Sequence, residues 1–323
     1  MKKFPVLLAA AALVLGALTA CSDNNPGDQT PAALQYEKRH DTAILLVTFG
    51  STYDEPHETY NRQMNQFKAA FPDADLFFSF TSVTCINRWY AATGEQFITP
   101  DQWLGSFIAK GYEHVYVQSL HVIPGEEFQL LRDKYVKSDY NFIVQDLTPA
   151  REEACCGTAL LTSDADIEEV GKVLVDAFAA ELKAGEAVAF MGHGNPVSDY
   201  DHANASYVKI EKAMQAYAAA TYGNGNVFVG TVDYDPMLVD YVVASMEEAG
   251  VAKTTPVNLH PLMSIAGDHA NNDMSDEEDD ESWISLIKAA GWKNVKPTVK
   301  GLGDYSEINN VWIRHLKEAI AAM

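Results

Sequence analysis

Several common signatures are missing from this 323-residue sequence. It has no GxSxG, no P-loop, no HExxH and no GxGxxG following an apolar strand. A hydrolase built on a nucleophile elbow is therefore disfavoured. Cysteine is scarce: Cys21, Cys85, Cys155 and Cys156 are the whole set, without a CxxC pair, which argues against a zinc site. Positive charge is scarce too. Lys and Arg number 23 against 45 Asp and Glu, giving a formal charge of −22. Such a chain repels nucleic acid and anionic membrane surfaces and is compatible with cationic ligands such as metal ions. Beyond the N-terminal run, no apolar stretch approaches the roughly 20 residues that span a bilayer.

What is present begins with Lys2 and Lys3, an apolar run over 4–18 and Leu18-Thr19-Ala20-Cys21. This reads as a signal peptide over 1–20. The last four residues resemble a bacterial lipobox, which implies cleavage before Cys21 and lipidation of its sulfur. A plain secretory signal with a coincidental cysteine is the alternative. The expectation is an exported, lipid-anchored protein of the periplasm or outer membrane, touching the membrane through its anchor alone. Residues 21–41 read as the linker, rich in Asn, Asp and Pro. An oxidising compartment would permit a disulfide from Cys85 to Cys155 or Cys156. The Cys155-Cys156 pair lacks redox-motif spacing and reads as structural.

From residue 42 onward, apolar strand runs alternate with helical stripes. Strands are expected over 43–49, 75–80, 114–120, 157–161, 187–191, 226–232 and 255–262. Helices are expected between them; one starts at the capping box Ser163/Asp166 and carries Ile167, Val170, Leu174 and Phe178 on one face. The alternation predicts an α/β fold with mainly parallel sheets. The pattern restarts near residue 163. "ILLVTFGST" at 44–52 resembles "VAFMGHGNP" at 188–196, and "GYEHVYVQSLH" at 111–121 parallels "GVAKTTPVNLH" at 250–260. This points to a duplicated unit: lobes over 42–162 and 163–300, with ligands bound in a cleft at the strand C-terminal ends.

The candidate chemistry sits at those ends. His193 stands between Gly192 and Gly194 where a strand stops, Asp233 ends the next strand, and His269 follows the strand ending near Leu262. Two imidazoles and a carboxylate at three strand ends suit a divalent transition metal with open positions, and a neutral imidazole accepts protons near pH 7. No i,i+4 ligand pair marks the site, so the reading rests on adjacency in the fold. His121 and His260 are equivalent in the repeat and each ends an apolar run. Phe49, Tyr53, His121, Glu126 and His260 are candidates for substrate contacts in the cleft; either histidine also reads as a satisfied core-edge residue, the preferred reading for His260. The acidic run 276–281 reads as a solvated loop.

Taken in order, "LLVTFGSTY", "FTS", "QSLHVIPGEEF", "FMGHGN", "VGTVDYDP", "PLMSIAGDHANNDM" and "GLGD" resemble the anaerobic cobalt chelatase family, the class II chelatases of sirohydrochlorin cobaltochelatase type. The resemblance runs from about 43 to 321. It implies two flavodoxin-like lobes, a C-terminal helix over 301–323 packing back on the first lobe, and insertion of Co2+ or Fe2+ into a tetrapyrrole between the lobes. It implies no organic cofactor, the metal being a substrate. By motif position His193 and His269 become the metal-binding histidines, with His193 also the base. Asp233 stands where the family usually has Glu, and His260 where it usually has Met. A homo-oligomer is compatible with this reading. So is an exported protein that binds haem, another tetrapyrrole or metal without turnover.

Overall fold

The computed structural model describes residues 34–323. The expected signal peptide, the lipidated Cys21 and most of the linker lie outside these residues. Two four-stranded parallel sheets form the frame. The first has β1 (Thr42–Thr48), β2 (Ala74–Phe80), β3 (His114–Ser119) and β4 (Cys155–Gly157) in the order β2-β1-β3-β4. The second has β5 (Ala187–Gly192), β6 (Val227–Thr231), β7 (Val257–Leu262) and β8 (Val295–Pro297) in the order β6-β5-β7-β8. The orders are identical, so the internal sequence echo corresponds to repeated topology, with β1 aligned to β5 and β3 to β7.

Both faces of each central strand are covered, which is why these strands read as unbroken apolar runs. Side chains alternate across the sheet. Ala43, Leu45 and Val47 pack outward on Trp103, Phe107 and Tyr112. Ala187, Ala189 and Met191 pack on Trp283, Ile287 and Trp292. The opposite faces, Ile44 and Leu46 of one lobe and Val188 and Phe190 of the other, belong to a single core. The final helix, Ser306–Ala321, contributes Ile308, Trp312 and Leu316 to that same core.

This helix lies against β3, β4 and the helix Asp54–Ala70 of the first lobe. Gly157 permits the approach: a Cβ there would sit 3.2 Å from the Leu316 Cα and far inside contact distance of the Gln118 amide. Polar contacts complete the seam. Asp304 accepts from Thr59 (2.6 Å) and Arg62 (2.5 Å), and Asp166 pairs with His315 and Arg314, each at 3.0 Å.

Three details differ from the sequence reading. β4 lies at Cys155–Gly157 rather than over 157–161. Ala159, Leu160 and Leu161 are buried, but Leu160 and Leu161 lie in a turn and donate to His121 O and Val122 O beyond the end of β3. β8 is a three-residue edge strand ending in Pro297, too short to carry a period. A helix over Val83–Thr93, capped by Ser82, was not anticipated. Cys85, Cys155 and Cys156 are all free, so the disulfide that an oxidising compartment would permit is not formed. Burial pushes the thiols of Cys155 and Cys156 up to about 12, which keeps both protonated and unreactive.

Candidate active site

β5 delivers His193. The strand is buried throughout, and the first residue beyond it emerges at the surface. The corner is held from beneath. Asn195 N donates to Asn204 Oδ1 (2.9 Å), Asn204 Nδ2 returns a bond to Asn195 O (2.8 Å), and Tyr207 OH accepts from Gly194 N (3.3 Å). Gly194 has φ +84°, and a Cβ there would lie 2.8 Å from Tyr234 N. Only glycine fits that turn without strain.

β5 and β6 are paired neighbours, so Asp233 lies beside His193. The backbone locks this in: Val232 N and Asp233 N both donate to His193 O, at 3.1 and 2.8 Å. The side chains, each about half exposed, bring His193 Nε2 to 3.7 Å from Asp233 Oδ2. That exceeds a hydrogen bond and is close enough for the carboxylate to stabilise an imidazolium. His193 Nδ1 is 2.9 Å from Gly194 O, so it is the donor nitrogen and Nε2 carries the lone pair.

His269 enters from the loop after β7. Its ring centroid is 4.7 Å from that of His193, edge to face at 81°. Its Nδ1 lies 2.7 Å from Asp273 Oδ2, which leaves its Nε2 as the lone-pair nitrogen too. The fold thus brings His193, Asp233 and His269 together as an open arrangement. Among the described residues no three His, Cys, Asp or Glu side chains converge tightly enough to hold a metal ion by themselves.

The first lobe supplies the facing rim. Tyr53 OH donates across the gap to Asn272 Oδ1 (3.4 Å), three residues beyond His269. Phe49 is half exposed at the end of β1. Glu126 is exposed at a helix start, and a Cβ on the adjoining Gly125 would stand 3.1 Å from the Asn195 amide of the other lobe. Two cavities lie elsewhere. One of about 180 Å³ is lined by Glu55, Arg62 and Asp304, the other of about 360 Å³ by Arg132, Cys155 and Cys156. Neither includes His193, Asp233 or His269.

One candidate for cleft contact, His260, is interior, and a second, His121, is partly buried. His260 is fully buried within β7, between Phe178 and Phe190; its Nδ1 donates to Pro261 O (2.8 Å) and its Nε2 accepts from Tyr305 OH (2.9 Å). Both nitrogens are used and the ring cannot reach a ligand. Burial pushes its pKa down to about 4. His121 bonds Ser119 Oγ through Nδ1 (2.8 Å), while its Nε2 is shut from solvent without a partner. Burial lowers its pKa to about 4 as well, although the residue keeps some exposed surface. Among the described residues no hydrogen bond or ring contact joins it to His193 or His269.

The sequence reading missed Asp273 and Asn272. Asp273 lies four residues after His269 and meets its Nδ1, an imidazole and a carboxylate on one turn rather than a pair of metal ligands. The acidic run 276–281 is exposed, with Glu277 paired to Lys288 at 2.8 Å.

The family model for cobalt chelatase (CbiK) matches residues 42–321. The chain is 34% identical over 282 residues to the sirohydrochlorin cobaltochelatase of Salmonella typhimurium, covering 86% of this chain and 96% of that one. It is 30% identical over 285 residues to the sirohydrochlorin cobaltochelatase CbiKC of Nitratidesulfovibrio vulgaris, covering 87% and 91%. Among solved structures, SirB of Bacillus subtilis with Fe3+ has a similar fold, with TM-score 0.56, 14% identity and coverage of 87% and 96%. With nearly the whole folded chain matched, the protein belongs to the cobalt chelatase (CbiK) family.

Proposed function

We propose that this protein is a tetrapyrrole metal chelatase that inserts Co2+, with Fe2+ as the next candidate, into sirohydrochlorin between its lobes. The observation that carries this reading is the pair of adjacent imidazoles, each with Nδ1 engaged and Nε2 bare, in a chain of the cobalt chelatase family. Insertion removes two pyrrole N–H protons and transfers a partly dehydrated cation. His193 Nε2 accepts them one at a time and, being half exposed, releases each to solvent before taking the next, while the Asp233 carboxylate 3.7 Å away stabilises the imidazolium that forms. His269 holds the ion during transfer. An open ligand set suits an ion that must leave, because a closed cage would retain it. Phe49 and Tyr53 offer ring faces to the flat macrocycle. Anaerobic incubation with sirohydrochlorin and Co2+ should give the absorption spectrum of the metallated ring, and H193A should not; turnover of H193A at the wild-type rate would refute the role of His193.

A second reading is a tetrapyrrole- or metal-binding protein without turnover. It is favoured by the short arm of Asp233, which leaves its carboxylate beyond hydrogen-bonding distance of His193. A stable haem complex together with absent insertion activity would select it.

We also propose export and lipid anchoring through Cys21, supported by Lys2, Lys3, the apolar run over 4–18 and Leu18-Thr19-Ala20-Cys21. Metabolic labelling with a radioactive fatty acid should tag the wild type and not C21S; equal labelling of the two, or none in the wild type, would reject it.

A further inference from the structure

The turn that carries His269 is braced from within the second lobe. Ala270 and Met274, one helical turn apart, are fully buried in the core around Trp283. Asn271 Nδ2 donates to Gly267 O (2.8 Å), and Ser275 Oγ donates to Ala270 O (2.8 Å). With Ala270 and Met274 pinned inward, the preceding pair at the same spacing, His269 and Asp273, is presented outward on one face. The 2.7 Å contact between His269 Nδ1 and Asp273 Oδ2 therefore joins two side chains on a fixed frame.

A carboxylate can only accept, so Nδ1 of His269 carries a proton, and in the neutral ring Nε2 is the lone-pair nitrogen. His193 reaches the same tautomer through a neutral carbonyl, Gly194 O. The two imidazoles thus differ in what stands behind them. A negative partner on Nδ1–H makes the opposite nitrogen a stronger donor and fixes the ring plane. The neighbouring acid of the turn is otherwise engaged, since Asp268 Oδ1 accepts from Asn272 Nδ2 at 3.0 Å.

We propose that Asp273 is a positioning residue for the metal substrate: it holds His269 in the Nδ1–H tautomer with Nε2 directed at the incoming divalent cation. This rests on the chelatase reading for its kinetic consequence, though not for the tautomer. The test pairs long-range 1H–15N NMR of the metal-free protein with steady-state kinetics and Co2+ titration. The His269 signals are identified by their loss in H269Q. In the wild type His269 should show one tautomer, with Nε2 unprotonated. D273A should mix the tautomers and raise the KM for Co2+ by about 10–100-fold, with the KM for the tetrapyrrole unchanged. D273N keeps an amide oxygen that can accept from Nδ1–H, and should restore the tautomer and most of the Co2+ affinity. A D273A protein that keeps the Nδ1–H tautomer and the wild-type KM for Co2+ would overturn the assignment. A wild type that binds Co2+ without turnover, with binding weakened in D273A, would sink the chelatase reading and leave the role of Asp273 standing.

Discussion

In the first lobe, Thr48 O and Phe49 O accept from Thr81 N and Ser82 N, at 2.9 and 3.0 Å. In the second, Gly192 O and His193 O accept from Val232 N and Asp233 N, at 3.0 and 2.8 Å. Each corner then turns through a glycine with positive φ, Gly50 at +112° and Gly194 at +84°. The two backbones are the same corner built twice. One copy presents a phenyl ring with a serine beside it, the other an imidazole with a carboxylate beside it. The difference teaches that the scaffold decides where a side chain emerges and the side chain decides the chemistry. The repeated topology gives two equivalent presentation points, and only the second carries an imidazole and a carboxylate, groups whose chemistry suits cations and protons.

The sharpest way to break this comparison is to give the second corner the first corner's residue. H193F should lower Co2+ insertion by at least about 100-fold, the scale of a lost general base. Its melting temperature should stay near the wild-type value because the side chain is half exposed; initial rates and thermal melts decide. Next in size is the acid response of the interior histidines. Burial lowers the pKa of His260 to about 4, whereas the unfolded chain titrates near 6.5, so the unfolded state binds more protons between these values. The stabilising contribution is intact above about pH 6.5 and is lost as pH falls toward 4, on the order of 3 kcal/mol for this group. Urea denaturation across that range should show the loss, and H260Q should flatten it.

The glycine corners sharpen the comparison further. G50A and G194A both force an L-residue to positive φ, at about 1–2 kcal/mol each. A Cβ on Gly50 meets the Phe80 ring, whereas one on Gly194 meets the backbone of Tyr234. G194A should therefore be the more destabilised in urea melts, since a ring can yield and a main chain cannot. The smallest effect belongs to the apolar corner: F49A should raise the KM for the tetrapyrrole by less than about tenfold and leave kcat nearly unchanged, as expected for uniform binding.

How much of this was legible varies by residue. Ala43–Val47 and the run beginning at Ala187 read as strands because both faces are buried. The corner at His193 was legible because glycines flank it. His260 and His193 look alike in a linear reading, each at the end of an apolar run. Three register positions separate their fates: His260 pairs with Phe190 inside the sheet, while His193 lies one residue past its edge. Depth of that kind emerges only when strands align. Asp273 was obscured by the acidic segment that follows it, although its spacing from His269 was in plain view. The cap at Ser82 and the short edge strand β8 offered no period to read.

The shared core has a consequence for how a large flat molecule is handled. Ile44 and Leu46 of one lobe, Phe190 of the other and Trp312 of the final helix belong to one core, so the halves cannot swing apart like jaws without tearing oily contacts into water. In the proposed chelatase, accommodation then falls to the guest and to the few side chains at the mouth, and a planar ring seated between lobes that share a core is the partner expected to buckle.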